Sequence, residues 1–212
     1  MGFSSQSFNH YLIAKKAFEQ YSEPNDALIT IMFSTMFIEA VLNDTICGEN
    51  LTHELLVKNN IDSKELDRYK FDFDIYQDQI AFYYKIEVLF EKNGKQNFTN
   101  DIEYIELKHL VSLRNSIAHL KPIIKDENGF PKNKISKSAL NYLKQKKMVN
   151  DPYGIGVDWI DRISNKQVSE WALTVTKQTI EYLYNSTCYP PLGIPQLDFY
   201  CLKLSIGKYK NI

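Results

Sequence analysis

Cysteine is scarce in this sequence, and its few copies argue against two common classes of small protein. Cys47, Cys188 and Cys201 are odd in number, lie far apart and form no C-x-x-C pair. This spacing suggests neither a disulfide framework nor a zinc site. The N-terminus also lacks the basic segment and apolar run of a signal peptide. We therefore expect a cytoplasmic protein with reduced cysteines.

Glycine and proline are also few, with eight and seven copies among 212 residues. Because both residues interrupt helices, their scarcity favours an all-α protein over a turn-rich β protein. The hydrophobic fraction of 44% and the aromatic fraction of 13% are typical of a globular chain. A chain of this length fits one domain, with room for an appendage.

Charge of one sign is not in excess, because the formal net charge is −1. The chain therefore lacks the global basic field of many nucleic-acid binders, which leaves room for an enzyme that touches RNA locally. The longest apolar run, from Ala27 to Leu42, is too short to span a bilayer and contains Glu39. We expect it to form a core helix, and we expect no membrane partner.

The spacing of apolar residues predicts an all-α bundle of about five to seven helices. The predicted helical segments are about 5–21, 24–47, 51–59, 62–70, 75–92, 101–120, 136–147 and 165–186. The second is apolar almost all round, which predicts a central position, and Cys47-Gly48-Glu49-Asn50 is expected to end it. We expect a helical domain at 1–187. A tail at 188–212 should pack on the same domain, with 197–205 as a short strand or an extended arm.

The most informative stretch is Arg114-Asn115-Ser116-Ile117-Ala118-His119, inside the helix predicted at 101–120. A core-facing stripe at helical spacing supports that helix: Leu110, Leu113, Ile117 and Leu120. Asn115 and His119 are four residues apart and share a face. Arg114 lies roughly 140° from His119 at about 100° per residue. This geometry suits a cleft between two helices better than a site on one helix.

The chemistry open to this trio is narrow. An arginine fork binds phosphate and stays charged, and a histidine gives or takes a proton near neutral pH. Together they suit metal-free cleavage of an RNA phosphodiester, with His119 in proton transfer, Arg114 neutralising charge on phosphorus and Asn115 as the positioning residue. On spacing alone, a solvated arginine and a structural histidine are the commoner explanation.

Arg114-Asn115-x-x-x-His119 resembles the signature of the HEPN superfamily, in which an arginine is followed by a polar residue and then by a histidine. The segment from Phe37 to Asp44 is similar to the second helix of many HEPN proteins. The resemblance implies a small, HEPN-like helical bundle that commonly dimerises. It also implies that active members are metal-independent ribonucleases, found among toxins and antiviral or phage-defence proteins.

The resemblance further implies a homodimer in which Arg114 and His119 of two protomers form one composite cleft. The RNA 2′-OH would attack the adjacent phosphate there and leave a cyclic phosphate end. Glu39 is the one charged residue between Ala27 and Leu42, and a buried carboxylate needs a partner. Arg114 is the natural candidate, although a solvent-facing Glu39 or a structural ion pair is equally compatible with the pattern.

One segment without acidic residues concentrates lysine around Tyr142. Its candidate RNA-binding residues are Lys132, Lys134, Lys144, Lys146 and Lys147. A solvated surface with no ligand is the commoner meaning of such a segment. His10, His53 and His109 lack metal-ligand spacing, so we expect structural or surface roles for them and neither a metal nor a cofactor.

Three functions stay open on the sequence. The favoured one is an endoribonuclease whose partner is RNA, and a separately encoded antitoxin is compatible with it. The second is a non-catalytic HEPN module that binds a nucleotide, RNA or a protein. The third is a helical dimerisation protein in which Arg114 and His119 only close an interface.

Overall fold

The structure, a computed structural model, describes residues 7–60, 82–92, 96–119, 134–149, 158–186, 200 and 203–205. Every regular element in these residues is helical, which confirms the all-α prediction and its count of five to seven helices. The helices are α1 (Ser7–Glu19), α2 (Pro24–Lys58), α3 (Phe82–Lys92), α4 (Ile102–Ala118), α5 (Lys134–Gln145), α6 (Trp159–Ile163) and α7 (Lys166–Ser186). A 3-10 turn at Phe98–Asn100 precedes α4.

The chain divides into two compact units. Unit 1 comprises Met1–Ser5, Ile38–Asp101 and Thr179–Ile212, and unit 2 comprises Gln6–Phe37 and Ile102–Gln178. Helices α2 and α7 each contribute residues to both. The predicted boundaries of a domain at 1–187 and a tail at 188–212 stay predictions.

The start of unit 2 is organised by an aromatic cluster between α1 and α2. The rings of Phe8 and Tyr11 lie 6.1 and 5.4 Å from the ring of Phe37. Tyr11 and Phe37 are almost fully buried. Aromatic pairs at such distances add to the hydrophobic stabilisation that burial already gives. The Thr30 hydroxyl also donates to the carbonyl of Ala14, at 3.4 Å.

The turn before α2 carries its own helix-start signal. The Asp26 carboxylate accepts the backbone N–H of Ser22 at 2.8 Å and that of Glu23 at 3.0 Å. These hydrogen bonds lower the pKa of Asp26, because they favour the charged carboxylate. The helix predicted to begin at about residue 24 does begin there, at Pro24.

The predicted end of the second helix at Cys47–Asn50 is wrong, because α2 continues without a break to Lys58. Gly48 and Glu49 are buried within it, and no described side chain from Thr30 to Leu51 is exposed. Packing on these faces overrides the weak helix propensity of one glycine, which costs about 1 kcal/mol. The predicted separate helix at 51–59 is the last part of α2. The helix ends where Asn60 has a φ of 57°, a conformation that asparagine tolerates.

Unit 1 packs apolar and aromatic side chains of α3 and the 3-10 turn against the end of α7. The ring of Phe90 lies 4.8 Å from that of Phe98 and 5.0 Å from that of Tyr182. The Tyr182 hydroxyl donates to the carboxylate of Asp101. The buried amine of Lys85 on α3 donates a hydrogen bond to the side-chain oxygen of Asn43 on α2, at 2.8 Å.

The described part of the tail packs on unit 1. Tyr200 is 1% exposed, and its hydroxyl donates to the carboxylate of Asp44 on α2. Tyr200, Lys203 and Leu204 have helical backbone, so the short strand or extended arm predicted at 197–205 is wrong at these residues. The predicted helix at 62–70 lies outside the described residues, as do residues 75–81 of the next predicted helix.

Within the described residues, α2 alone is long and apolar enough to cross a membrane by length and composition. Half of its most apolar window is buried inside the protein, and core helices of soluble proteins pass the same test. The expected absence of a membrane partner therefore stays a prediction.

Candidate functional site

Helix α4 carries the Arg-Asn-His motif and is held in unit 2 by its apolar face. Leu110 and Leu113 of the predicted stripe are fully buried, and Ile117 is half-buried. Leu120 lies outside the described residues. The helix ends at Ala118, one residue before His119. Because this stripe packs into the core, Arg114 and Asn115 lie beside it in the last turns of α4, and His119 follows the last residue of the helix.

The structure brings Arg114 and Asn115 together. Arg114 is half-buried, and its Nη1 donates to the side-chain oxygen of Asn115 at 3.0 Å. The positioning role of Asn115 in catalysis stays a prediction. The buried Nε of Arg114 has no hydrogen-bond partner in the described part of the chain. An unsatisfied nitrogen of this kind costs stability unless an incoming group pairs with it.

His119 is exposed at the end of the motif helix, and its imidazole is open to a ligand. Its backbone N–H donates to the carbonyl of Asn115 at 3.0 Å, so the helical geometry extends to His119. Asn115 is exposed as well, and the two side chains project from one face, as the four-residue spacing predicts. No hydrogen bond joins Arg114 to His119 among the described residues. One protomer therefore presents the two groups separately.

The predicted support of Arg114 by Glu39 crosses the two units. Glu39 is half-buried on the part of α2 that belongs to unit 1, whereas Arg114 belongs to unit 2. The pairing stays a prediction. Thr35, one turn before Glu39 on α2, donates its hydroxyl to the carbonyl of Ile31 in its own helix.

The predicted lysine-rich segment forms α5 and the turn that ends it. Lys144, Lys146 and Lys147 are exposed, Lys134 is the first residue of α5, and Lys132 lies outside the described residues. The N–H of Met148 donates to the carbonyl of Leu143 at 3.0 Å, across a Lys147 whose φ is 57°. This is a Schellman end to the helix with lysine at the position where glycine is usual.

A polar cluster that the sequence analysis did not predict joins α4 to α5. The Tyr142 hydroxyl donates to the Glu106 carboxylate, and Lys146 Nζ lies 3.8 Å from the same carboxylate. Lys146 Nζ also lies 5.4 Å from the centre of the Tyr142 ring. Burial and the hydrogen bond to Glu106 raise the pKa of Tyr142 well above its ordinary value. Lys146 therefore has an internal partner, and it is less available to RNA than the sequence suggested.

His109 stacks on Tyr142, with ring centres 4.4 Å apart and planes inclined by 20°. Burial, aided by the neighbouring Lys108, lowers the pKa of His109 below 6.5. A structural or surface role is expected for His109 from the sequence. In the structure its side chain also lines a cavity. Its spacing of three from Glu106, which places both on one face of α4, was the available sequence signal.

Two cavities lie beside this cluster in unit 2. The first, of about 380 Å³, is lined by His109, Lys137, Ser138, Asn141, Tyr142 and Gln145. The second, of about 440 Å³, includes two carboxylates, Glu106 and Glu170, together with Lys146, Lys147 and Trp171. The described residues that line the first cavity include no acidic residue, whereas those that line the second have mixed charge.

No group of three or more histidine, cysteine, aspartate or glutamate side chains that could hold a metal ion occurs in the described ranges. His10 instead lies beside the ring of Phe33, 5.8 Å between centres. Comparison with known proteins found no match to a protein family, to a curated protein or to a solved structure. We therefore infer the function from the residues of this chain and from the motif that they form.

Proposed function

We propose that the protein is a metal-independent endoribonuclease of the HEPN type. The observation that carries this proposal is the arrangement at the end of α4, where an exposed His119 follows an Arg114 that is hydrogen-bonded to Asn115. The chemistry needs a proton-transfer group and a cation to neutralise charge on the phosphate, and His119 and Arg114 are side chains of these kinds. A toxin or phage-defence role in the cytoplasm fits such an activity.

A homodimer through α4 completes the proposed site. Within one protomer His119 has no bond to Arg114, and one nitrogen of Arg114 is buried without a partner among the described residues. A second copy of α4 would bring a second Arg114 and His119 to the same cleft. A pair of motifs would place proton transfer on one side of the phosphate and charge neutralisation on the other.

The proposed reaction forms one phosphorus–oxygen bond and breaks another. A His119 imidazole takes the proton from the RNA 2′-OH, whose oxygen attacks the adjacent phosphorus. Arg114 neutralises the charge that develops on the phosphate oxygens, and Asn115 holds its guanidinium. The 5′-oxygen leaves and takes a proton, which gives a 2′,3′-cyclic phosphate and a 5′-OH. The carboxylate of Glu39 is proposed to support Arg114.

The first test is His119→Ala. Because His119 is exposed, the substitution removes the proton-transfer group without opening the core. We expect RNA cleavage to fall at least about 100-fold, as for loss of a general acid or base. The circular dichroism spectrum and the unfolding midpoint should remain those of the wild type.

His53→Ala is the matched control, since His53 lies on α2 in unit 1 and has no place in the proposed site. It should cleave RNA at the wild-type rate. Full activity in His119→Ala, or an equal loss in both variants, would contradict the proposed role of His119.

The alternative is a non-catalytic HEPN module that binds RNA, a nucleotide or a protein partner. The net charge of −1 favours it, because a nuclease that holds RNA tightly usually has a basic surface. Growth of a host that expresses the protein separates the two. Slower growth with the wild type but not with His119→Ala supports the nuclease, whereas equal growth supports the binding module. An antitoxin would be sought only in the first case.

A further inference from the structure

One face of α5 forms a polar groove with His109 of α4. Lys137, Asn141 and Gln145 follow one another at intervals of four residues, so they form a stripe along the helix. Tyr142, stacked on His109, forms the wall beside this stripe. All of these side chains line the cavity of about 380 Å³. Its lining combines a cation, two amides and an aromatic pair.

Each part of this lining matches a part of a nucleotide. An amine binds phosphate oxygens, amides pair with the edges of bases, and aromatic rings stack on their faces. Burial lowers the pKa of His109 and so disfavours its charged form, and the ring adds an aromatic surface to the groove. No carboxylate is found among the described residues that line the cavity, so none of these side chains repels a phosphate.

The aromatic pair is already held in place. Tyr142 donates its hydroxyl to Glu106, and Lys146 contacts both that carboxylate and the ring. These contacts fix the ring on which His109 stacks, so little conformational entropy is lost when a base binds beside it. The second cavity is less suited to a phosphate group, because the carboxylates of Glu106 and Glu170 line it.

We propose that this groove binds single-stranded RNA, with a phosphate at Lys137 and base edges at Asn141 and Gln145. His109 lies on α4 and His119 follows its last residue, ten positions or about 15 Å further along the helix axis. A strand in the groove thus reaches the end of α4 within a few nucleotides. The choice of RNA as the strand rests on the proposed function, but binding does not require cleavage.

The test measures binding and cleavage separately. Anisotropy of a labelled, roughly 12-nucleotide single-stranded RNA, a length in the usual range for such sites, is followed in EDTA with His119→Ala protein. Adding Asn141→Ala and Gln145→Ala together should weaken binding about tenfold, since two hydrogen bonds are lost. Both side chains are exposed, so the fold should persist. A duplex of the same sequence should bind more weakly, because its base edges are paired.

Lys137→Gln and Lys16→Gln form a matched pair that controls for charge. Both lysines are exposed and lie in unit 2, but Lys16 is on α1 and does not line the groove. Lys137→Gln should weaken binding several-fold more than Lys16→Gln. Equal losses of RNA affinity in the two lysine variants, unchanged affinity in the amide variants, or no binding of the RNA by any form would overturn the proposal that the groove binds RNA.

The outcomes also distinguish the two proposals. Wild-type cleavage with unaltered affinity in the groove variants would remove the groove and keep the nuclease. Binding that depends on the groove, without cleavage by the wild type, would keep the groove and remove the nuclease.

Discussion

Glu106 is the residue on which the polar contacts between α4 and α5 converge. Its carboxylate accepts from Tyr142 and lies 3.8 Å from Lys146 Nζ, while the Glu106 side chain is 12% exposed. A carboxylate so far out of water is stable only while its partners stay in place. The three residues therefore act as one unit, and the position of the Tyr142 ring depends on it.

Tyr142→Phe tests this unit. The change keeps the ring but removes the hydroxyl, so the free energy of unfolding should fall by about 1 to 2 kcal/mol, as for a lost hydrogen bond to a charged group. Urea unfolding of Tyr142→Phe, Glu106→Gln and the double variant measures the coupling between the two positions. Strictly additive losses would contradict a shared hydrogen bond.

His109 makes stability depend on pH. Its folded-state pKa is lowered, so below pH 6.5 protons bind the unfolded chain more readily than the folded one. The contribution of His109 is full above pH 6.5 and is lost as pH falls through its lower, folded-state pKa. In urea unfolding between pH 8 and pH 5, lowering the pH should reduce the free energy of unfolding of the wild type more than that of His109→Gln. Parallel curves would exclude His109 as the cause.

At this scale the motif could be predicted from the sequence, but its surroundings could not. The four-residue spacing placed Asn115 and His119 on one face. The hydrogen bond from Arg114 to Asn115 was not predicted, because adjacent residues of a helix do not share a face. The contact of Tyr142 with Glu106 joins residues 36 positions apart. Side-chain pairing over that distance is set by helix packing, which local spacing does not encode.

Among the elements, α5 ends in a backbone conformation that its own residue disfavours. Lys147 has a φ of 57°, where a Cβ atom crowds the backbone and only glycine is unpenalised. The Schellman hydrogen bond from Met148 to Leu143 holds it there. The turn thereby fixes where the lysine-rich segment leaves the helix.

Lys147→Gly and Lys147→Ala separate backbone from side chain, since both remove the same charge. The glycine variant should have a free energy of unfolding about 1 kcal/mol higher than the alanine variant, because alanine keeps the penalised Cβ. Thermal or urea unfolding of the two proteins measures the difference. If alanine is as stable as glycine, residue 147 does not have the left-handed conformation.

The existence of most helices was predictable, but some ends were not. Apolar spacing indicated α1, α4, α5 and α7 within a few residues, and Asn165 shows why one start was clear. Its side-chain oxygen accepts the N–H of Val168 at 3.0 Å, which is the usual N-cap contact. The continuation of α2 through Gly48 was missed because burial on several faces, and not local propensity, decides it.

For the whole molecule, the proposed chemistry is concentrated in unit 2. Arg114, His119 and the groove on α5 all belong to it, and a local concentration of cations offsets a net charge of −1. The proposed composite cleft needs a second protomer, and the spacing of residues along one sequence does not show which surface that protomer would cover. The surface that forms the proposed dimer is therefore the feature least predictable from the sequence.

The most direct test is the chemistry of the RNA ends. Purified wild-type protein and His119→Ala are incubated with total RNA and with tRNA in EDTA, and the new termini are identified. The account predicts 2′,3′-cyclic phosphate and 5′-OH ends from the wild type alone, at the same rate with or without EDTA. A strict requirement for metal, 3′-OH ends, or no cleavage under any condition would contradict it.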